Sequence, residues 1–103
     1  MKGSNNKASL WIATEKDNMK LIGMLLQHKA DTNTKDGSDN TPLLYATAKG
    51  MTQVCLKLLE SGANPNVKDG RGYTPLLYAT EKGMTEACLP LIKLFFQILD
   101  NMR

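Results

Sequence analysis

The sequence predicts an all-α solenoid of three helix-turn-helix repeats with hairpin-like loops and an extended C-terminal helix. Two observations carry this. Residues 41–50 read TPLLYATAKG, and residues 74–83, 33 positions later, read TPLLYATEKG. From these two starts, 14 of 19 residues match (41–59 against 74–92). A fixed period in the low thirties marks stacked helical units, which bury a core only against their neighbours. About three units are needed for that core, and 103 residues hold three.

Each element of the unit has a physical reason. Thr41 and Thr74 precede Pro42 and Pro75. A Thr side-chain oxygen can accept an orphan backbone N–H at a helix start, and Pro loses nothing at the first helical position. A short helix is expected over 43–49, ended by Gly50, which takes the left-handed conformation without strain. Thr52 is expected to cap a second helix, whose Val54, Cys55, Leu58 and Leu59 make one apolar stripe. Gly62 ends it, and residues 63–70 (ANPNVKDG) are turn-forming.

Helix, tight turn, helix and a loop with Asp-Gly near its tip, every 33 residues, resembles the ankyrin repeat. The residues that carry the resemblance are TPLLYA at 41–46 and 74–79, Gly50, Gly83, Leu58-Leu59 and GANPN at 62–66. Leu44 and Leu77 stand where the family usually has His. The resemblance covers roughly residues 5–92 and implies an ankyrin-repeat solenoid. The expected divisions are a flexible N-terminus (1–7), a cap-like first repeat (8–40), a second repeat (41–73) and a third with the long helix (74–103).

The first copy is degenerate. Shifted by 33, Leu10 falls on Leu43, Leu25-Leu26 on Leu58-Leu59 and Asn33 on Asn66. Asp17 and Lys29 replace Gly50 and Gly62. A left-handed Lys29 costs about 1 kcal/mol or more.

The third copy breaks pattern. Pro90 replaces Lys57 and either kinks the second helix, at about 3 kcal/mol, or starts it. Phe95 and Phe96 replace Gly62 and Ala63, so the helix is expected to run on to about residue 101. Its polar side is Lys93, Gln97, Asp100 and Asn101. The apolar residues fill an arc of about 200°, against about 100° for a core-facing stripe. Leu94, Phe95, Phe96, Ile98, Leu99 and Met102 are therefore expected to be a self-association surface. Burying the surplus is worth roughly 10 kcal/mol, against about 4–15 kcal/mol for association. A homodimer is one reading. A helix folded back over the third copy, and a helix covered by a further repeat, are the others.

Composition excludes several classes. The net charge of +3 is scattered, with no basic block, so nucleic acid is not expected as a partner. The apolar run 89–99 is too short and too interrupted to span a bilayer. The opening residues lack a signal-like apolar core, and no Asn-x-Ser/Thr sequon occurs. An intracellular place, cytoplasmic or nuclear, is expected. Cys55 and Cys88 share one register. Equivalent helices in a stack lie about 8–10 Å apart, beyond disulfide reach, so both are expected to be free, buried and apolar. The single histidine, His28, and the two cysteines do not have the spacing of a zinc site. Residues 31–42 fail the calcium-loop pattern, with Lys35 at the fifth position and Pro42 at the twelfth. No catalytic constellation, cofactor or small-molecule substrate is expected.

Repeat stacks present an extended concave face. The resemblance places its binding positions on the loop tips, Ser38, Asn40, Arg71 and Tyr73, and on the first helices, Glu15, Lys16, Ala48, Lys49, Glu81 and Lys82. Lys7 and Trp11 extend the row. Tyr73 and Trp11 are the strongest candidates, because large aromatics dominate binding hot spots, although Trp11 also suits the interior of the first copy. The expected partner is another protein. The resemblance further implies that Asn33 and Asn66 match the loop asparagine modified by asparaginyl hydroxylases, with Leu25 and Leu58 eight residues upstream.

Overall fold

The computed structural model describes residues 4–102, apart from the side chains of residues 4–8. Six helices follow in order: α1 (Ser4–Glu15), α2 (Met19–Gln27), α3 (Pro42–Ala48), α4 (Thr52–Glu60), α5 (Pro75–Glu81) and α6 (Thr85–Asn101). No strand occurs among the described residues. Within each repeat the two helices pack together, α1 on α2, α3 on α4 and α5 on α6. Between repeats the first helices pack in the order α1, α3, α5 and the second helices in the order α2, α4, α6. The result is two helical layers in a stack measuring 40 × 30 × 27 Å.

The local chemistry follows the expected rules at α3 and α5. Thr41 Oγ1 accepts from the Leu44 N–H at 3.3 Å, and Thr74 Oγ1 from the Leu77 N–H at 3.2 Å. Gly50 and Gly83 follow these helices with φ of +74° and +68°. In the first copy the left-handed positions are filled without glycine, by Asp17 (φ +55°) and Lys29 (φ +67°). One detail differs from expectation and one decides between alternatives. Thr52 does not cap α4: the N-cap is Met51, with no side-chain bond to the helix, and Thr52 is the first helical residue. Pro90, for which both readings stood open, lies inside α6 and does not start it. The helix continues because Ala87 and Leu91, on either side of Pro90, are buried in the core, and that burial offsets the bond the proline removes. Helix α1 also takes in residues 4–7, which were expected to be flexible.

One core runs the length of the stack. Leu10, Ile22, Leu43, Val54, Cys55, Leu58, Ala79, Ala87 and Leu91 belong to it. The helix pairs α3–α4 and α5–α6 begin with nearly the same sequence, so their differences in burial report on their neighbours. Leu44 is 1% exposed, its counterpart Leu77 41%. Thr47 is buried and Thr80 exposed, and Cys55 is buried and Cys88 half-buried. The third repeat covers the second, and among the described residues nothing covers the third. α6 buries only part of its apolar arc. Leu91 is covered and Leu94 and Ile98 are half-buried, while Ile92, Phe95, Phe96, Leu99 and Met102 are exposed.

Candidate functional site

The loops between repeats are built alike. In the loop that leads into the second repeat (the second loop, by the repeat it enters) Asp36 Oδ1 accepts from the backbone N–H groups of Ser38 (2.8 Å) and Asn40 (3.0 Å). In the loop that leads into the third repeat (the third loop) Asp69 Oδ1 does the same for Arg71 (2.9 Å) and Tyr73 (3.0 Å). Each tip is closed by backbone bonds, from Asp36 N–H to the Asn40 carbonyl and from Asp69 N–H to the Tyr73 carbonyl, both 2.9 Å. Asp39 (φ +66°) and Gly72 (φ +84°) turn the chain at matching positions. The tips are thus fixed by a short carboxylate side chain that replaces the ladder of a true hairpin.

The third tip is tied to helix α5 as well. The Tyr78 hydroxyl donates to Asp69 Oδ2, and Arg71 Nη2 donates to the Tyr78 oxygen at 2.8 Å. Arg71 Nη2 also lies 4.0 Å from Asp69 Oδ2. The Arg71 guanidinium sits over the Tyr73 ring, 4.7 Å from its centre, and the Tyr73 and Tyr78 rings are 5.1 Å apart. The phenol of Tyr78, followed by the two backbone N–H groups, holds the Asp69 carboxyl below the usual carboxylate range. The same bond, with burial second, pushes the Tyr78 phenol up. The second tip lacks this cluster, because Ser38 and Asn40 stand where Arg71 and Tyr73 do. There Tyr45 turns instead to Trp11, edge to face at 5.6 Å, with Lys49 Nζ 5.7 Å from its ring centre.

Between these two tips lies an open pocket of about 310 Å³. It brings together four of the expected binding residues, Ser38, Asn40, Ala48 and Arg71, with Leu44, Tyr45, Asp69, Gly70 and Tyr78. Tyr73 flanks it through its contact with Arg71, and Lys49 through Tyr45. Trp11 is half-buried and serves the stack too, since its indole N–H donates to the Thr34 carbonyl at 3.4 Å. Glu15, Lys16, Glu81 and Lys82 are exposed and stand apart from the pocket. The side chain of Lys7 lies outside the described residues.

Three residues of the cluster were missed in the sequence: Tyr45, Tyr78 and Asp69. The available signal was their register, with Tyr at 45 and 78 and Asp at 36 and 69 in both copies.

The remaining candidates lie elsewhere. Asn33 Oδ1 accepts from the Asn64 backbone N–H at 2.7 Å and bridges two successive loops. Asn66, one repeat on, is exposed like Asn33, and among the described residues its side chain makes no such bridge, because α6 continues where the next loop would be. Cys55 and Cys88 are both free thiols, and burial pushes the Cys55 thiol up to about 12. Cys88 is only half-buried, unlike the expectation that both are fully covered. His28 is exposed at the end of α2. Among the described residues no group of three or more His, Cys, Asp or Glu side chains is placed to hold a metal ion. No described helix is long and apolar enough to cross a membrane.

No curated protein matches this chain. A family model for ankyrin repeats, in three copies, matches residues 10–101. The repeat period, the capped helix pairs and this match agree, and the chain belongs to the ankyrin-repeat family.

Proposed function

We propose that the chain is a non-catalytic protein-binding module that uses the face formed by its loop tips and first helices. Ankyrin repeats are generally protein-interaction modules and typically not enzymes. One observation carries the reading to this face: Trp11, Tyr45, Tyr73 and Tyr78 make two aromatic pairs there, each topped by a cation, Lys49 or Arg71. Rigid aromatics and arginine are the side chains that supply most binding energy at interfaces. The test is a capture experiment with wild type and a variant carrying Arg71→Glu, Tyr73→Ala and Lys82→Glu. A protein retained by wild type and lost by the folded variant supports the face. Full retention by the variant excludes it.

A second reading is self-association through α6, favoured by the exposure of Phe96 (57%) and Met102 (76%) on that helix. Light scattering across a concentration series decides it: a dimer mass that Phe96→Glu reduces to a monomer supports the reading, and a monomer at every concentration removes it. A third concerns hydroxylation, which the exposed Asn66 suits better than Asn33, whose oxygen is engaged. Incubation with an asparaginyl hydroxylase should add one oxygen at Asn66, and an unchanged intact mass discards the idea.

A further inference from the structure

The pocket between the second and third tips has a chemistry of its own. Its one carboxylate, Asp69, is occupied by the Tyr78 hydroxyl and two backbone N–H groups. What remains facing the space is the Arg71 guanidinium, whose Nη2 lies 4.0 Å from Asp69 Oδ2, and three groups that can either donate or accept. Arg71 spends one N–H on Tyr78, and its side chain is 70% exposed. The Tyr45 hydroxyl and the side chains of Ser38 and Asn40 make no hydrogen bond among the described residues. Arg71 is also held in place, by the bond to Tyr78 and by stacking on Tyr73. A guanidinium fixed beforehand loses little freedom when it receives a carboxylate.

The repeat pattern supplies an independent observation. The register of Ala48 carries Glu15 in the first copy and Glu81 in the third. Ala48 lines the pocket. Only in the middle repeat is the glutamate missing, so the pocket is both open and free of a second anion. Lys16, Lys49 and Lys82 repeat along the stack at the neighbouring register. The volume, about 310 Å³, is at the small end of ligand sites, which suits one side chain of a larger partner.

We propose that this pocket receives a glutamate or aspartate side chain of the partner polypeptide, with Arg71 as the principal donor and Ala48 making the room. The proposal rests on the binding face named above and specifies what that face accepts. Its probes are a blocked hexaglutamate peptide and a blocked hexaglutamine peptide, titrated into the full chain at about 150 mM salt and followed by ¹H–¹⁵N NMR. Hexaglutamate should give saturable shifts at Tyr45, Ala48 and Arg71, and hexaglutamine at least 10-fold weaker ones. Ala48→Glu restores the residue of the flanking copies, and should weaken hexaglutamate binding at least 10-fold with the remaining spectrum unchanged. Arg71→Gln, on an exposed tip, should do the same and carries the decision if Ala48→Glu does not fold. Equal shifts with both peptides, shifts confined to residues outside the pocket, or undiminished binding by Arg71→Gln would overturn the proposal. If hexaglutamate fails while protein capture still depends on Arg71, Tyr73 and Lys82, the carboxylate is wrong and the binding face stands. If hexaglutamate binds at the pocket while capture ignores those residues, the carboxylate site stands and the wider face does not.

Discussion

Thr34 should be a site where removing a polar group strengthens the fold. Its side chain is buried, and Oγ1 has no hydrogen-bond partner among the described residues. A hydroxyl left in that state forfeits its hydration, at about 1–3 kcal/mol. Valine has nearly the same shape and no such demand. The second copy already carries Val67 at this register, so the surroundings of the repeat accept it. The contact that matters locally survives the change, because Trp11 donates to the backbone carbonyl of Thr34 and not to its side chain. Thr34→Val should therefore stabilise the protein by about 1 kcal/mol, the low end of that range, which for a domain of this size raises Tm by about 4–8 °C. Urea unfolding followed in parallel by Trp11 fluorescence and by far-ultraviolet circular dichroism measures it, the first reporting on the first repeat and the second on the whole stack. A loss of stability in both signals would mean that the hydroxyl is satisfied in solution, and the reasoning would fail.

Three further outcomes follow from the geometry. Lys29→Gly should stabilise by about 0.5–1 kcal/mol, since glycine relieves the left-handed backbone but adds disorder to the unfolded chain; a destabilised variant would show that the Lys29 side chain makes up for its strain. The Asp69 carboxyl is lowered in the folded state, so its contribution should be full above the ordinary carboxylate range near pH 4 and fade as pH falls through the folded value. The stability gap between wild type and Asp69→Asn should accordingly close in acid, and Tyr78→Phe should move the Asp69 titration upward in a carboxyl NMR experiment; no movement would deny the phenol its part. Cys88 should react with a thiol reagent well before Cys55, whose thiol is covered and pushed up to about 12; simultaneous labelling of the folded protein would contradict the packing of α4.

Much of this molecule was legible in its sequence, for reasons that differ by region. The Thr-Pro starts and the glycine stops are local chemistry, so α3 and α5 could be placed from a few residues each. The extension of α6 was legible too, because Phe95 occupies a register that needs a left-handed residue. The course of the chain through Pro90 was not. Local propensity argues for a break there, and only the burial of Ala87 and Leu91 decides otherwise. The binding positions divide similarly. Ser38, Asn40, Ala48 and Arg71 were implied by the family resemblance, and they line one pocket. Tyr78 and Asp69 are nine residues apart and meet only because the third loop folds back onto α5, a contact that no periodicity announces.

The third repeat, uncovered among the described residues, has a consequence for how the stack comes apart. In a linear array each unit draws stability from its own helices and from the interfaces with its neighbours. Among the described residues the middle repeat has two interfaces, and the first and third have one each. Since residues 41–47 and 74–80 are identical, the intrinsic stability of α3 and α5 is nearly equal, and the chief difference among the described residues is that α3 packs between two first helices and α5 against one. Among the described residues, α5 should then open more readily than its twin α3. The two copies of TPLLYAT form a natural internal control, in which the difference in amide exchange between one peptide and its twin measures the coupling between adjacent repeats.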